Sequence, residues 1–177
     1  MLLSTKVFSQ DISRYLDDGN VSGCKNIISI GYDPLNGELP FKFEHSVLRK
    51  FSYEVGGGPV WLSRQNWLVF DDPLPIKERG LGFSAFIKAK LYFGNFPERA
   101  YITIYPKLNW LDHKIYIDAA VLNIGYQRII VNKLIIGAET GFGFRIYRDP
   151  SQEFLEDQSY IIWKPHIPLT FNISFLI

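Results

Sequence analysis

The residues best suited to catalysis or metal binding are three histidines and one cysteine. His45, His113 and His166 stand far apart, and none has an HxH, HExxH or Cys-His spacing. Cys24 has a lysine beside it that favours a thiolate, but no histidine close in sequence to act as its base. The sequence therefore predicts no local catalytic or metal motif and no cofactor. A hydrolase or isomerase site assembled from dispersed residues stays open as an alternative.

Two glycine-rich stretches are the next candidates for chemistry. Gly56 to Gly58 could offer backbone N–H groups to an oxyanion, but the nucleophile elbow that should accompany them is absent. Residues 137 to 143 match neither a Walker loop nor a dinucleotide fingerprint, because the spacing and the following lysine are missing. We therefore expect a wide turn or bulge at the first stretch, and a hairpin turn with a glycine kink at the second.

Composition indicates the kind of domain that must position these residues. The chain has 177 residues, of which 47% are hydrophobic and 16% aromatic. This length fits a single domain over residues 1–177, and the aromatic content favours strands. Because the formal net charge is only +1, no long-range field attracts a phosphate backbone, and we expect no nucleic-acid partner.

Hydrophobic side chains recur at every second position over most of the chain, which is typical of β-strands with one face on a core. In residues 81–93 every odd position is apolar, so we expect the odd positions, Ala85 among them, to face the core. Residues 99–111 alternate in the same way and follow a turn signal at residues 94–97. The two runs predict a long antiparallel hairpin.

Further strands are expected over residues 27–32, 47–55, 60–62, 114–122, 127–136 and 167–177. Short helices are expected at most over residues 9–16 and 150–158. The predicted fold class is all-β, an antiparallel sandwich or barrel of about eight to ten strands with a long central hairpin.

Five aromatic residues lie on the nominally polar face of the long strands: Phe86, Tyr92, Tyr101, Tyr105 and Tyr116. Large aromatic side chains on a second face of the sheet must be shielded from water. A second core layer, another protein chain or an apolar ligand in a cavity could shield them. We take these five residues as the candidate binding or interface residues.

The leading functional hypothesis is a non-enzymatic assembly or interaction module, for instance a structural subunit of a virion or phage tail, with other protein chains as partners in a homo-oligomer or particle. The alternative is a lipocalin-type barrel that binds a hydrophobic small molecule.

The single cysteine and the absence of a recognisable export signal predict a cytoplasmic protein, or one in a particle assembled there. No apolar run approaches the ~20 residues of a transmembrane helix. An outer-membrane β-barrel has the same alternating signature. We do not expect such a barrel, because charged residues such as Lys88 and Lys90 are too few to line a water-filled lumen and no export signal is visible.

Overall fold

The computed structural model describes residues 26–61, 81–111, 114–131, 133–148 and 161–177. These ranges contain nine β-strands. In chain order they are β1 (Asn26–Tyr32), β2 (Phe41–Leu48), β3 (Phe51–Trp61), β4 (Leu81–Tyr92), β5 (Arg99–Leu111), β6 (Lys114–Val131), β7 (Leu134–Arg148), β8 (Ile161–His166) and β9 (Leu169–Leu176).

The strands form one antiparallel sheet that closes into a ring. Strands β1 to β7 pair in sequence order, and β1 also pairs with β9, which in turn pairs with β7. Strands β8 and β9 follow one another along β7 in an unbroken register, with His166 opposite Gly143 and Leu169 opposite Thr140. Since these two strands share one place, the seven others bring the described ring to eight positions.

The two ends of the ring differ in their connections. At one end, the turn end, short connections at residues 49–50, 93–98 and 132–133 join the strands. Asn26 and Ile177 also lie there, since the Ile177 N–H donates to the Asn26 carbonyl at 2.9 Å. At the opposite end, the loop end, strands are joined by residues 33–40, 62–80, 112–113 and 149–160.

The predicted all-β class and the long central hairpin are confirmed. Strands β4 and β5 pair antiparallel, with Phe83 opposite Trp110 and Tyr92 opposite Tyr101. The prediction of one strand over residues 127–136 is wrong, because β6 ends at Val131 and β7 begins at Leu134. The apolar residues of this stretch instead belong to the two arms of a tight hairpin, a difference that hydrophobic pattern alone does not show.

The expected turns at the glycine-rich stretches are also wrong, because both stretches lie within paired strands. Gly56 pairs with Phe86, and Gly137 and Gly143 belong to β7. An added Cβ at Gly56 would lie 2.6 Å from the Phe86 ring. Glycine here makes room for inward-facing aromatic rings.

The orientation of the alternating faces is the reverse of the expected one. Leu81 and Phe83 are exposed, and so is Ala85, whereas Lys88 and Lys90 are each 3% exposed. The same inversion runs around the ring: thirty large hydrophobic side chains are exposed, eight hydrophobic ones are buried, and twenty-four buried residues are polar or charged. The prediction that the odd positions of residues 81–93 face a core is therefore wrong.

The predicted short helices at residues 9–16 and 150–158 lie outside the described residues. Within the described ranges no helix is long and apolar enough to cross a lipid bilayer.

Replacing Gly125 by alanine should destabilise the ring. The new Cβ would lie 2.2 Å from Cζ of Tyr101, whose fully buried ring has no room to move. We expect a loss of about 1–3 kcal/mol in the free energy of unfolding, the usual cost of overpacking. Gly94→Ala is the matched control, because its Cβ would meet only the flexible side chain of the exposed Arg99. Equal stability of the two variants in urea titrations would contradict this account of Gly125.

Candidate functional site: the ion-paired lumen

The inside of the ring is the candidate site, since it collects the charged residues that the alternation turns inward. Strands β2 to β7 supply them from inward-facing positions, as at Lys88 and Lys90 of β4 or Glu44 and Lys42 of β2. All are buried. The buried cations are Lys42, Lys88, Lys90, Lys107 and Arg145; the buried carboxylates are Asp33, Glu38, Glu44, Glu54, Asp118 and Glu139.

Lys90 is the cation of the first group, which lies nearer the turn end. Its Nζ lies 2.8 Å from Oε2 of Glu44 and 2.5 Å from Oε2 of Glu54. The other oxygen of Glu44 accepts hydrogen bonds from the hydroxyls of Ser52 and Tyr92, each at 2.5 Å. Glu44 is thus fully engaged by charge-assisted hydrogen bonds.

Glu139 organises the middle of the lumen. Lys88 donates to its carboxylate, and Nζ of Lys42 lies 3.8 Å from the same Oε1. Its other oxygen accepts from the Tyr101 hydroxyl at 3.3 Å. Lys42 also donates to Oδ1 of Asn172 at 2.7 Å. Carboxylates and ammonium groups from four strands therefore alternate across the lumen.

The predicted aromatic residues take part in this lumen. Tyr92 and Tyr101 are fully buried with their rings 5.4 Å apart, and Tyr105 is 4% exposed. Nζ of Lys88 lies 4.5 Å from the Tyr105 ring centre and 4.9 Å from that of Phe86, within cation–π range. The structure thus brings these four together inside the ring. Tyr116 lies apart from them on β6, half-exposed and opposite Asn109.

Asp118 is the centre of the second group, which lies nearer the loop end. Its Oδ1 accepts from Arg145 Nε at 2.5 Å, and its Oδ2 accepts from Arg145 Nη2 at 2.9 Å. Oδ2 also accepts from Asn109 at 2.8 Å and lies 3.3 Å from Nζ of Lys107. The bidentate Arg145 pair fixes the orientation of the carboxylate. Nε2 of His166 lies 3.5 Å from the same oxygen.

The connection between β1 and β2 folds over this group. Glu38 bridges to Val60 and places Oε1 2.6 Å from Nζ of Lys107. Asp33 holds the connection in shape by accepting from the backbone N–H groups of Leu35 and Asn36, each at 3.0 Å. Burial raises the pKa of the Glu38 carboxyl, and the nearby Lys107 ammonium opposes that rise.

The charged inward side chains that the structure describes are almost wholly buried. A cavity of about 10 Å³ lies between the two groups, lined among others by Glu38, Lys42, Lys88 and Lys107. That volume holds about one water molecule. A ring of eight strands is just wide enough for side chains to fill. The described lumen is therefore a packed, nearly charge-balanced interior.

The candidate catalytic residues of the sequence do not converge among the described residues. His45 lies at the turn end, where its Nδ1 is 2.7 Å from Oδ1 of Asn26, and His166 lies in the lumen near the loop end. His113 and Cys24 lie outside the described residues. The described ranges contain no group of three or more His, Cys, Asp or Glu side chains that could hold a metal ion.

The outer face contrasts with the lumen. Near the middle of the strands it carries aliphatic and aromatic side chains, such as Ile30, Val55, Ile104 and Ile124. Trp61 and Trp110 lie on it near the loop end, while Tyr53 and Tyr126 lie nearer the turn end. The exposed charged side chains that the structure describes are those at the turn end. Sequence reasoning missed this face because it assigned its residues to a core.

No family model matches the chain, and neither a curated protein nor a solved structure matches it.

Replacing Asp118 by asparagine should be strongly destabilising. The isosteric change removes the carboxylate that pairs with both Arg145 and Lys107, and leaves Lys107 paired with Glu38. Breaking a buried ion pair on one side typically costs about 3–5 kcal/mol. The free energy of unfolding from urea titration measures this.

Two variants check this interpretation. Glu98→Gln removes an exposed carboxylate and should change stability by less than about 0.5 kcal/mol. Adding Arg145→Gln to Asp118→Asn should recover part of the loss, because the buried guanidinium that lost the Asp118 carboxylate is then gone. An undiminished stability of Asp118→Asn would show that the pairing does not hold the lumen together.

Proposed function

We propose that this chain is an integral membrane β-barrel of the small outer-membrane type. The observation that carries the proposal is the inversion of its faces: a belt of apolar side chains covers the outside of the described ring while the inside is polar and ion-paired. This combination is the pattern of strands that separate lipid from a polar interior.

The apolar outer face is more favourable in contact with lipid than with water. Water-soluble monomers rarely expose apolar patches larger than a few hundred Å². Here thirty large hydrophobic side chains are exposed on the described residues, among them Ile124 and Ile115, each 63% exposed. Contact with the hydrocarbon of a bilayer would remove the free-energy cost of exposing these side chains to water. A closed ring also leaves few unpaired backbone groups, as a bilayer core requires.

The distribution of aromatic residues supports a bilayer lying across the strands. Trp61 ends β3 and Trp110 lies one residue before the end of β5, both at the loop end. Tyr126 and Phe93 lie towards the turn end and are exposed by more than half. Exposed tryptophan and tyrosine at two levels, with aliphatic side chains and phenylalanines such as Phe142 between them, match the girdles found at the two bilayer surfaces.

The asymmetry of the connections is a further support. Connections at the turn end have two to six residues, whereas three of the four at the loop end are longer, namely residues 33–40, 62–80 and 149–160. Membrane barrels commonly have short turns on one side and longer loops on the other. With a filled lumen, we propose that the barrel acts as a membrane-embedded scaffold for its loops and not as an aqueous channel.

The structure bears differently on the other functions predicted from the sequence. A lipocalin-type carrier needs an apolar cavity, and the inward side chains of the described strands are mostly polar, so we do not carry that function forward. The assembly module, its cytoplasmic location and the interface role of Phe86, Tyr92, Tyr101, Tyr105 and Tyr116 stay predictions. Cover of the outer face by other protein chains is the rival outcome of the test below.

The full chain, refolded from urea in the presence of phosphatidylcholine vesicles, should insert and become protected from protease. Ile124→Arg places a charge at mid-strand on the outer face and should weaken insertion by about 2–4 kcal/mol, the cost at a bilayer midplane. Leu81→Arg is the matched control. It is 78% exposed at the loop end of β4, so it should cost only about 0–1 kcal/mol.

A wild-type chain that stays in solution as a defined oligomer, without associating with vesicles, would overturn the membrane proposal in favour of assembly. Equal effects of the two arginines would also contradict it, because protein contacts have no reason to follow depth along the strands.

Planar-bilayer recordings test the scaffold role. Wild-type barrels inserted in a bilayer should show no steady single-channel conductance, since the lumen between the two charged groups has room for about one water molecule. Sustained open-channel currents from purified, inserted protein would contradict a sealed lumen.

A further inference from the structure

The turn end carries a rim of cationic side chains. Arg99 begins β5, Arg128 lies on the outer face of β6, and Lys133 forms the β6–β7 turn; all three are exposed. We call these three residues the basic rim.

Negative charge is scarce at the same end. Glu98 is the carboxylate that the described residues place there, and its Oε1 accepts from the Ile129 N–H at 3.2 Å. The other described carboxylates lie inside the ring or in the β1–β2 connection. Among the described residues, the turn end therefore has an excess of cationic side chains, although the whole chain has a formal net charge of only +1.

The rim continues directly from the apolar outer face. Tyr126 and Arg128 lie two residues apart on the same face of β6, a separation of about 6–7 Å along a strand. An interfacial tyrosine followed by an arginine at that distance places the ring at the level of the ester groups and the guanidinium near the phosphates. The exposed Ile130 follows Arg128 on the same face, and Lys133 lies beyond it in the adjoining turn.

We propose that the basic rim binds the phosphate headgroups of anionic phospholipids in the leaflet at the turn end, and thereby fixes the depth of the barrel. This inference rests on the proposed membrane insertion. Guanidinium and ammonium groups attract anionic lipid surfaces within a Debye length, so several on one rim act together.

The test compares insertion of the full chain into vesicles of phosphatidylcholine alone and into vesicles that also contain phosphatidylglycerol. Wild type should partition more strongly into the anionic vesicles, and that gain should fall as salt is raised. In Arg128→Gln/Lys133→Gln each lost cation should reduce the gain about fivefold at low salt.

Two control variants separate charge from shape. Arg128→Lys/Lys133→Arg preserves both charges and should keep the wild-type gain. Glu98→Gln removes the acidic group and should increase it.

Each outcome has one meaning. Equal insertion of wild type into both vesicles would overturn the rim proposal and leave the membrane proposal standing, whereas failure to insert into either would overturn the membrane proposal itself. A neutralised double variant that inserts and keeps the full anionic gain would also overturn the rim, because the attraction would then come from elsewhere on the chain.

Discussion

Closure of the sheet is the constraint on which the other features of this molecule depend. Strand β1 pairs with β9 and β7 pairs with β6, so the first and last described strands belong to one continuous hydrogen-bonded ring. Once the sheet is closed, each strand has one face towards a shared interior and one towards the surroundings. The two faces then have different surroundings, and these decide which positions carry charged residues.

The narrow interior explains why the charges come in such close pairs. A ring of eight positions leaves room for side chains and little water, so a lysine turned inward must find its counterion among its neighbours. Lys90 does so between Glu44 and Glu54, and Asp118 does so between Arg145 and Lys107. Such pairs contribute little net stability compared with apolar packing, but losing one partner is costly. We therefore expect them to favour the one arrangement of the strands that keeps every pair together.

The sequence was informative about strands and uninformative about which face is inside. Alternation in residues 81–93 correctly predicts the β4–β5 hairpin, because period two is a property of the extended backbone. The same period cannot distinguish inside from outside. Leu81, Phe83 and Ile87 have the types expected of core residues, and they are the exposed ones here. The missing information is which side of the sheet becomes the interior when it closes, and the backbone pattern does not contain it.

A signal for the inverted orientation does exist at the other positions. The inward residues carry matched charges in neighbouring strands, such as Glu54 of β3 opposite Lys88 of β4. Where Glu44 of β2 lies opposite Glu54, the ammonium of Lys90 lies close to both carboxylates. A solvated face has no need for such matching, since water satisfies each charge separately. Two lysines in one strand look too sparse for a lumen when read alone. Together with the carboxylates of neighbouring strands, these lysines form the neutralising ion pairs that a closed, water-poor interior requires. The charge pairing of the interior depends on which residues of neighbouring strands lie opposite one another. It can therefore be predicted only once the register of the sheet is known.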